Sequence, residues 1–452
     1  MKRVLLATTA LGLGAGMAAA QDMAMADDGM MDMGPSITLS GDAEVGVAGS
    51  QDDSARFHTD VNVEFKMEGT TDAGITFGTS VGLNDIEDPG AGASGRTVND
   101  TTNTDDRPGA IAIYMKGPFG NLNLGDTDGA FDWALAETNG VGGGSIRDSE
   151  EHGGFTGNSG LDGTHDGQIL RYDIGFSGFG FAASIEFDDD VSSGDIDAAT
   201  AGTQRAAGAQ VGDSDNTVIG VGATYGMTMQ NGSSLGFGIG YQDGGRTAYI
   251  DNPATPANEG AGGNAVVTAL GDTAAGAGAT KGNAANQDRN IVGASVNFDA
   301  GNGLKAIANY SRQQEDAVGT TGTPIANRFT DDSTTTRVGF GIGYSMEKMA
   351  IGVNVGSSVN ERSFDSNGAA TGGVSTEETT TRGVGLAASY DLGGGAKLMF
   401  GVGNSTTELD RPDGGIAVAP GTGVVGTNDA GTARDRREME STNWSLGVKF
   451  AF

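Results

Sequence analysis

Between residues 125 and 167 the sequence places Asp126, Asp128, Asp132, Glu137, Asp148, Glu150, Glu151, Asp162 and Asp166 against one formal base, Arg147. Carboxylates at that density, with no nucleophile and base beside them, do electrostatic work: they gather counter-cations. Bond-making chemistry finds little support elsewhere. His58, His152 and His165 are the only imidazoles, and no His-x-Glu, His-x-x-x-His or Ser/His/Asp grouping surrounds them, so neither a zinc set nor a catalytic triad is indicated. Gly236-Phe-Gly-Ile-Gly240 lacks the lysine of a phosphate loop and reads as small residues on one face of a strand. Asp188-Asp189-Asp190 and Asp331-Asp332 have oxygen ligands suited to Ca²⁺ or Mg²⁺, though plain solvation is the simpler reading. Met23, Met25, Met30, Met31 and Met33 offer soft sulfur for Cu(I), but no His or Cys completes a site. No cofactor is expected.

The whole chain shares the acidity of that stretch. Its 452 residues carry 26 Lys+Arg against 59 Asp+Glu, a formal net charge of −33. That sign excludes a nucleic-acid binder, whose affinity for phosphates comes from Lys and Arg. The absence of Cys excludes disulfide scaffolds and thiolate metal sites. Eighty glycines argue against a helical protein, since each interior Gly costs a helix about 1 kcal/mol relative to Ala. Residues 1–20 read as a signal peptide: Lys2 and Arg3 precede an apolar run that closes on Ala18-Ala19-Ala20. The exported chain is then expected to begin at Gln21. Residues 21–35 alternate Met and Asp and read as a flexible acidic linker.

From residue 36 to 452 one period dominates, and it is two residues long. Phe57, Thr59, Val61, Val63, Phe65 and Met67 alternate with His58, Asp60, Asn62, Glu64, Lys66 and Glu68. Residues i and i+2 share a strand face, so one face is apolar and the other charged. Sixteen such segments recur, each near the length a tilted strand needs to cross a bilayer. Their connections sort by parity. Short Gly-rich turns follow the even segments, as at 69–74, 117–120, 177–180 and 391–395. Long polar stretches follow the odd ones: 84–109, 125–167, 188–216, 242–289, 312–335, 356–380 and 403–441. A soluble sandwich has no reason for that sorting. A membrane barrel has: turns on one side, loops on the other, and an even strand count. Tyr225, Phe298, Tyr344, Tyr390 and Phe452 end even segments, while Phe57, Tyr241, Tyr310 and Trp444 stand near the long-loop side, as two interfacial girdles would. The expected fold is an all-β transmembrane antiparallel barrel of sixteen strands in a Gram-negative outer membrane, with periplasmic turns and extracellular loops. A barrel so wide leaves a wet channel.

The ends of the chain resemble a known family. Leu39-Ser-Gly-Asp-Ala43, Phe65-Lys-Met-Glu-Gly-Thr-Thr-Asp-Ala-Gly-Ile-Thr-Phe-Gly78, Gly117-Pro-Phe-Gly120 with Leu124-Gly-Asp126, Gly385-Leu-Ala-Ala-Ser-Tyr-Asp-Leu-Gly-Gly-Gly395 and Leu446-Gly-Val-Lys-Phe-Ala-Phe452 are similar to the general diffusion porins of Rhodobacter-like alphaproteobacteria. The resemblance implies a homotrimer that passes small hydrophilic solutes and ions passively. It implies that the loop at 125–167 folds into the lumen as a constriction, its acids facing bases on the wall. The constriction set is then Asp126, Asp128, Asp132, Glu137, Asp148, Glu150 and Glu151 against Lys66, Lys116, Arg171, Arg337 and Arg382, with Lys305 and Lys397 as further lumen-facing bases. Glu44, Asp60 and Asn62 stand where relatives tend to place Arg. That excess of acid predicts a cation preference. The terminal Phe452 resembles the signal read by the outer-membrane insertion machinery, and outer-membrane lipid and lipopolysaccharide are the expected neighbours. The alternative is a structural or adhesive surface barrel without an open pore.

Overall fold

A computed structural model describes residues 35–51, 54–84, 111–146, 168–187, 217–249, 284–316, 332–365, 374–411 and 435–452. Sixteen strands follow in order: β1 (Ser36–Ser50), β2 (Arg56–Thr70), β3 (Thr76–Asn84), β4 (Ile111–Gly117), β5 (Gly120–Asp126), β6 (Gln168–Phe176), β7 (Phe179–Glu186), β8 (Val218–Thr228), β9 (Ser234–Tyr249), β10 (Ala284–Asp299), β11 (Leu304–Glu315), β12 (Asp332–Met346), β13 (Met349–Asp365), β14 (Val374–Gly393), β15 (Ala396–Arg411) and β16 (Asp435–Ala451). Each pairs antiparallel with its neighbours in sequence, and β1 closes on β16 from Asp42↔Ala451 to Ser50↔Asn443. Closure leaves no strand edge unpaired, the condition for putting a sheet in hydrocarbon.

The faces divide as the alternation requires. Val61, Phe65 and Met67 on β2, Phe237 and Ile239 on β9, and Val338, Phe340 and Ile342 on β12 are exposed on the outer face. Their partners in the alternation point inward. The short turns are tight. Phe176 pairs directly with Phe179, leaving Ser177 at φ 50° and Gly178 at φ 84°. Both values lie in the left-handed region that a two-residue type I′ turn demands. Beside this turn Phe176, Phe179, Phe181 and Tyr225 stack on the outer face, with centroids 4.5–6.5 Å apart. They form part of the girdle at the short-turn end.

At the other end the strands outrun the expected length. The β13–β14 ladder continues from Met349↔Tyr390 to Asp365↔Val374, so most of 356–380 is paired strand rather than loop. The β15–β16 ladder likewise reaches Arg411↔Asp435. These extensions are polar on both faces, as at Thr379, Thr380 and Thr381 or Thr334, Thr335 and Thr336. Above the hydrocarbon both faces meet water, so the two-residue hydrophobic alternation disappears while the β-branched preference for strand persists.

Between β5 and β6 the chain enters the barrel. It forms a short helix α1 (Ala130–Ala134) and a 3-10 turn, Thr138–Val141.

Candidate functional site: the lumen and its inner loop

The inward faces of β8, β9, β10, β12 and β13 carry glycine where other strands carry side chains, and the loop lies on that track. A Cβ at Gly240 would stand 2.8 Å from the Phe131 ring, and one at Gly293 would meet Leu135 at 2.6 Å and Phe131 at 2.8 Å. Gly222 and Gly238 face the backbone carbonyls of Ala130 and Ala134. Gly341 faces Thr138, Gly343 faces Val141 and Gly352 faces Gly142 in the same way. Farther on, Gly144 touches Met399 of β15, and Ile146 reaches Gly46 of β1 and Gly447 of β16. Residues 130–146 therefore sweep round the wall from β7 to β1.

Apolar and polar anchors hold the sweep. Phe131, fully buried, packs with Leu135, Val218 and Ile291 in the one apolar cluster inside the barrel among the described residues. Ala130 N–H donates to Ser184 Oγ at 2.8 Å and Ala136 N–H to Ser295 Oγ at 2.8 Å. Asn309 Nδ2 donates to the Ala136 carbonyl at 3.3 Å, and Arg171 Nη1 to the Asp128 carbonyl at 2.6 Å. These bonds satisfy loop backbone groups that lie away from bulk water.

A barrel of this topology with a loop on its inner wall is an outer-membrane architecture, and the comparison with known proteins agrees. A family model described as Gram-negative porin matches residues 7–411. The chain belongs to the Gram-negative porin family. A porin of Rhodobacter capsulatus is 29% identical over 154 residues, which cover 33% of this chain and 44% of that protein. The match thus spans less than half of the relative's length. Among solved structures, a porin is 19% identical over 92% of this chain and all of that one, with a TM-score of 0.49. A loop-deleted form of OmpT, an outer membrane protein of Vibrio cholerae, is 12% identical over 92% of this chain and 99% of its own, with a TM-score of 0.50. At these identities the structural likeness concerns the fold.

The porin's lumen brings some of the expected site residues together and not others. Arg171 is buried, its Nε 3.3 Å from Asp173 Oδ1 while it also holds Asp128. Lys66 pairs with Glu68 at 3.1 Å, and Glu68 accepts from Tyr114 Oη at 2.6 Å. Lys116 lies 4.6 Å above the Tyr114 ring. Arg337 Nη1 donates to Gln313 Oε1 at 3.4 Å, and Lys305 pairs with Asp299 at 3.8 Å. Asp132 sits in α1 and Glu137 immediately precedes the 3-10 turn, both half-buried on the loop. Burial first, then the neighbouring Asp128 carboxylate, raises the Glu137 carboxyl to about 7, against a weaker pull from its hydrogen bond with Asn139. Asp148, Glu150 and Glu151 lie outside the described residues, as do residues 1–34, His152, His165 and the acids at 188–190.

Two positions depart from the expectation. Arg382 shares the outward parity of Val384 and Tyr390, is exposed, and pairs across the strands with Glu408 at 3.2 Å. It does not face the lumen, because the β14–β15 register runs without a shift from Glu378 to Asp391 and keeps even residues outward there. Asp126 likewise continues the outward parity of Leu122 and Leu124 at the end of β5.

Sequence reasoning singled out Glu44 but not the charged group it belongs to, nor a second pair farther round the wall. Lys449 of β16 pairs with Asp42 at 3.0 Å and Glu44 at 2.9 Å, and Glu44 stands 3.8 Å from His58 Nε2. Arg289 of β10 pairs with Glu315 at 2.9 Å. The cross-strand register supplies the signal that would have found them, since Glu44↔Lys449 and Arg289↔Glu315 are direct partners. The glycine track had a signal too: Gly236, Gly238 and Gly240 share the inward parity of β9.

Proposed function

We propose that this porin is a water-filled channel through which small hydrophilic solutes and ions diffuse down their gradients, with a preference for cations. The observation that carries the reading is the loop's posture. Residues 130–146 lie flat on glycines along the wall, which narrows a barrel of sixteen strands without laying that segment across it. Nothing in this task calls for bond-making, so the charged groups act by field alone. The cation preference is supported by how the wall bases are spent. Lys66, Arg171, Arg289, Lys305 and Lys449 each have a carboxylate within 4 Å, which leaves acids such as Glu64 to dominate the field.

Planar-bilayer recording of the purified protein tests the channel. Stepwise ohmic conductance is expected, with a reversal potential in a KCl gradient on the cation side. A silent bilayer from correctly folded protein favours a structural or adhesive barrel instead. The functional unit is proposed to be a homotrimer, so steps should come in threes and cross-linking in detergent should stop at three copies. Phe452, exposed at the short-turn end, is proposed as the handle for the insertion machinery. Residues 1–20 are proposed to be removed on export, and N-terminal sequencing should then begin at Gln21.

A further inference from the structure

Gly46 of β1 and Gly447 of β16 face each other across the join that closes the barrel. A Cβ on Gly46 would stand 2.5 Å from Ile146 Cδ1, and one on Gly447 would stand 2.7 Å from the same atom. One methyl group therefore rests on both strands at once. Ile146 is fully buried, and it is the single large aliphatic residue between Val141 and Leu161. The next inward rung is also small and dry: Ala48 and Ser445 are direct partners and both buried. Ser145, the loop residue before Ile146, is buried as well. On the other side of the glycine pair, Glu44 and Lys449 close their rung with an ion pair at 2.9 Å. The join is thus held by charge at one level and covered by the loop at the next.

This seat differs from the others along the loop. Thr138 and Val141 lie on Gly341 and Gly343 of β12, and Gly142 lies on Gly352 of β13. A tight turn ties those two strands, which pair down to Met346↔Met349. When a tethered pair parts for a moment, the short turn returns it to register at little entropic cost. No turn connects β1 to β16. A seat made half of one and half of the other exists only while the two are paired, and whatever binds the closed form alone stabilises it.

We propose that Ile146 is a clasp across the β1–β16 join, so that the inner loop sets how long the barrel stays closed. With Ile146 withdrawn, the Gly46–Gly447 rung has no side chain of its own to cover it, and backbone bonds open to water are the ones that give way first. The clasp works apart from the rest of the loop. Gly142, Gly143 and Gly144 stand between it and α1, with φ of 116°, 97° and 88°. Glycine adopts that backbone without strain, and the joint lets α1 shift while Ile146 stays seated. The clasp does not depend on what the lumen conducts.

The test measures unfolding rates of the folded protein in detergent and urea, read by the electrophoretic shift between compact barrel and unfolded chain. I146A should unfold about tenfold faster than wild type or more, and I146V, which removes only the shared methyl, about threefold faster. F131A, whose seat lies on β9 and β10, should stay within about twofold of wild type. Val45 and Val448 are outward direct partners of the same join, so V45C/V448C can place a disulfide there in a chain with no cysteine of its own. With that bond formed, adding I146A should no longer speed unfolding, and reduction with dithiothreitol should restore the difference. An I146V that unfolds as slowly as wild type overturns the clasp, and so does an F131A as fast as I146A. A penalty from I146A that persists with the disulfide closed overturns it too, because Ile146 would then support the loop alone. Should I146A yield no folded barrel, I146V carries the same comparisons in both backgrounds.

Discussion

Phe131→Ala separates the hold of the inner loop from the integrity of the barrel. Phe131 is fully buried between α1 and the wall, on Gly240 and Gly293, with Leu135, Val218 and Ile291 around it. Truncating a buried Phe costs about 3–5 kcal/mol. The four polar anchors of the loop, on Ser184, Ser295, Asn309 and Arg171, contribute about 1 kcal/mol each. The ring thus supplies about half of the hold, and its loss shifts the docked-to-undocked ratio by about a hundredfold or more. The barrel ladder contains none of these contacts, so strand content and detergent-resistant mobility should stay unchanged. Single-channel records of Phe131→Ala should show conductance that flickers between levels, and limited proteolysis should cut within 130–146. Steady wild-type conductance together with a protected loop would refute the reasoning, because the ring would then not be what seats the loop.

Three further outcomes are expected. Val63 and Asn62 are chain neighbours on opposite faces; Lys at Val63 should cost about 2–4 kcal/mol in hydrocarbon, while Lys at Asn62 should leave the unfolding midpoint in urea nearly unmoved. Glu137 is raised by burial from its ordinary 4.5 to about 7, so the docked loop binds that proton more tightly than the free loop does. Docking is then firmest below pH 4.5 and weakens as pH rises to about 7. Conductance noise should grow over that window, and Glu137→Gln, with no proton to lose, should stay flat. A Val at Gly240 would meet the Phe131 ring, and such overpacking costs about 1–3 kcal/mol; it should reproduce the Phe131→Ala flicker with the barrel intact.

How much of this was legible in the sequence depends on what each residue faces. The strands inside the membrane were readable, because lipid on one side and water on the other impose opposite chemistry at period two, as at 57–68. The extended hairpins of β13 to β16 were not, because Thr379–Thr381 and their neighbours meet water on both faces and lose the contrast. The path of the loop left only a negative signal, the missing side chains of inward glycines, which composition records but does not order. Arg382 and Asp126 were misplaced by attending to charge where strand parity already put them on the outer face with Val384 and Leu124. Asp60 and Glu64 were visible as inward acids.

The seam between the first and last strands fixes when this molecule can become itself. Lys449 and Glu44, joined at 2.9 Å, stand 405 residues apart in the chain. Phe452 N–H donates to the Gly41 carbonyl at 2.9 Å across the same join. Every other strand pair joins sequence neighbours, whereas this one awaits the final strand. Its closure entropy grows only with the logarithm of the span, so distance delays the join more than it weakens it. Until β16 arrives, β1 and β15 both present bare backbone that lipid does not tolerate. A chain that stops before Asp435 therefore has no partly inserted resting state. Assembly ends with the last residues threaded, and the membrane admits the whole cylinder or none of it.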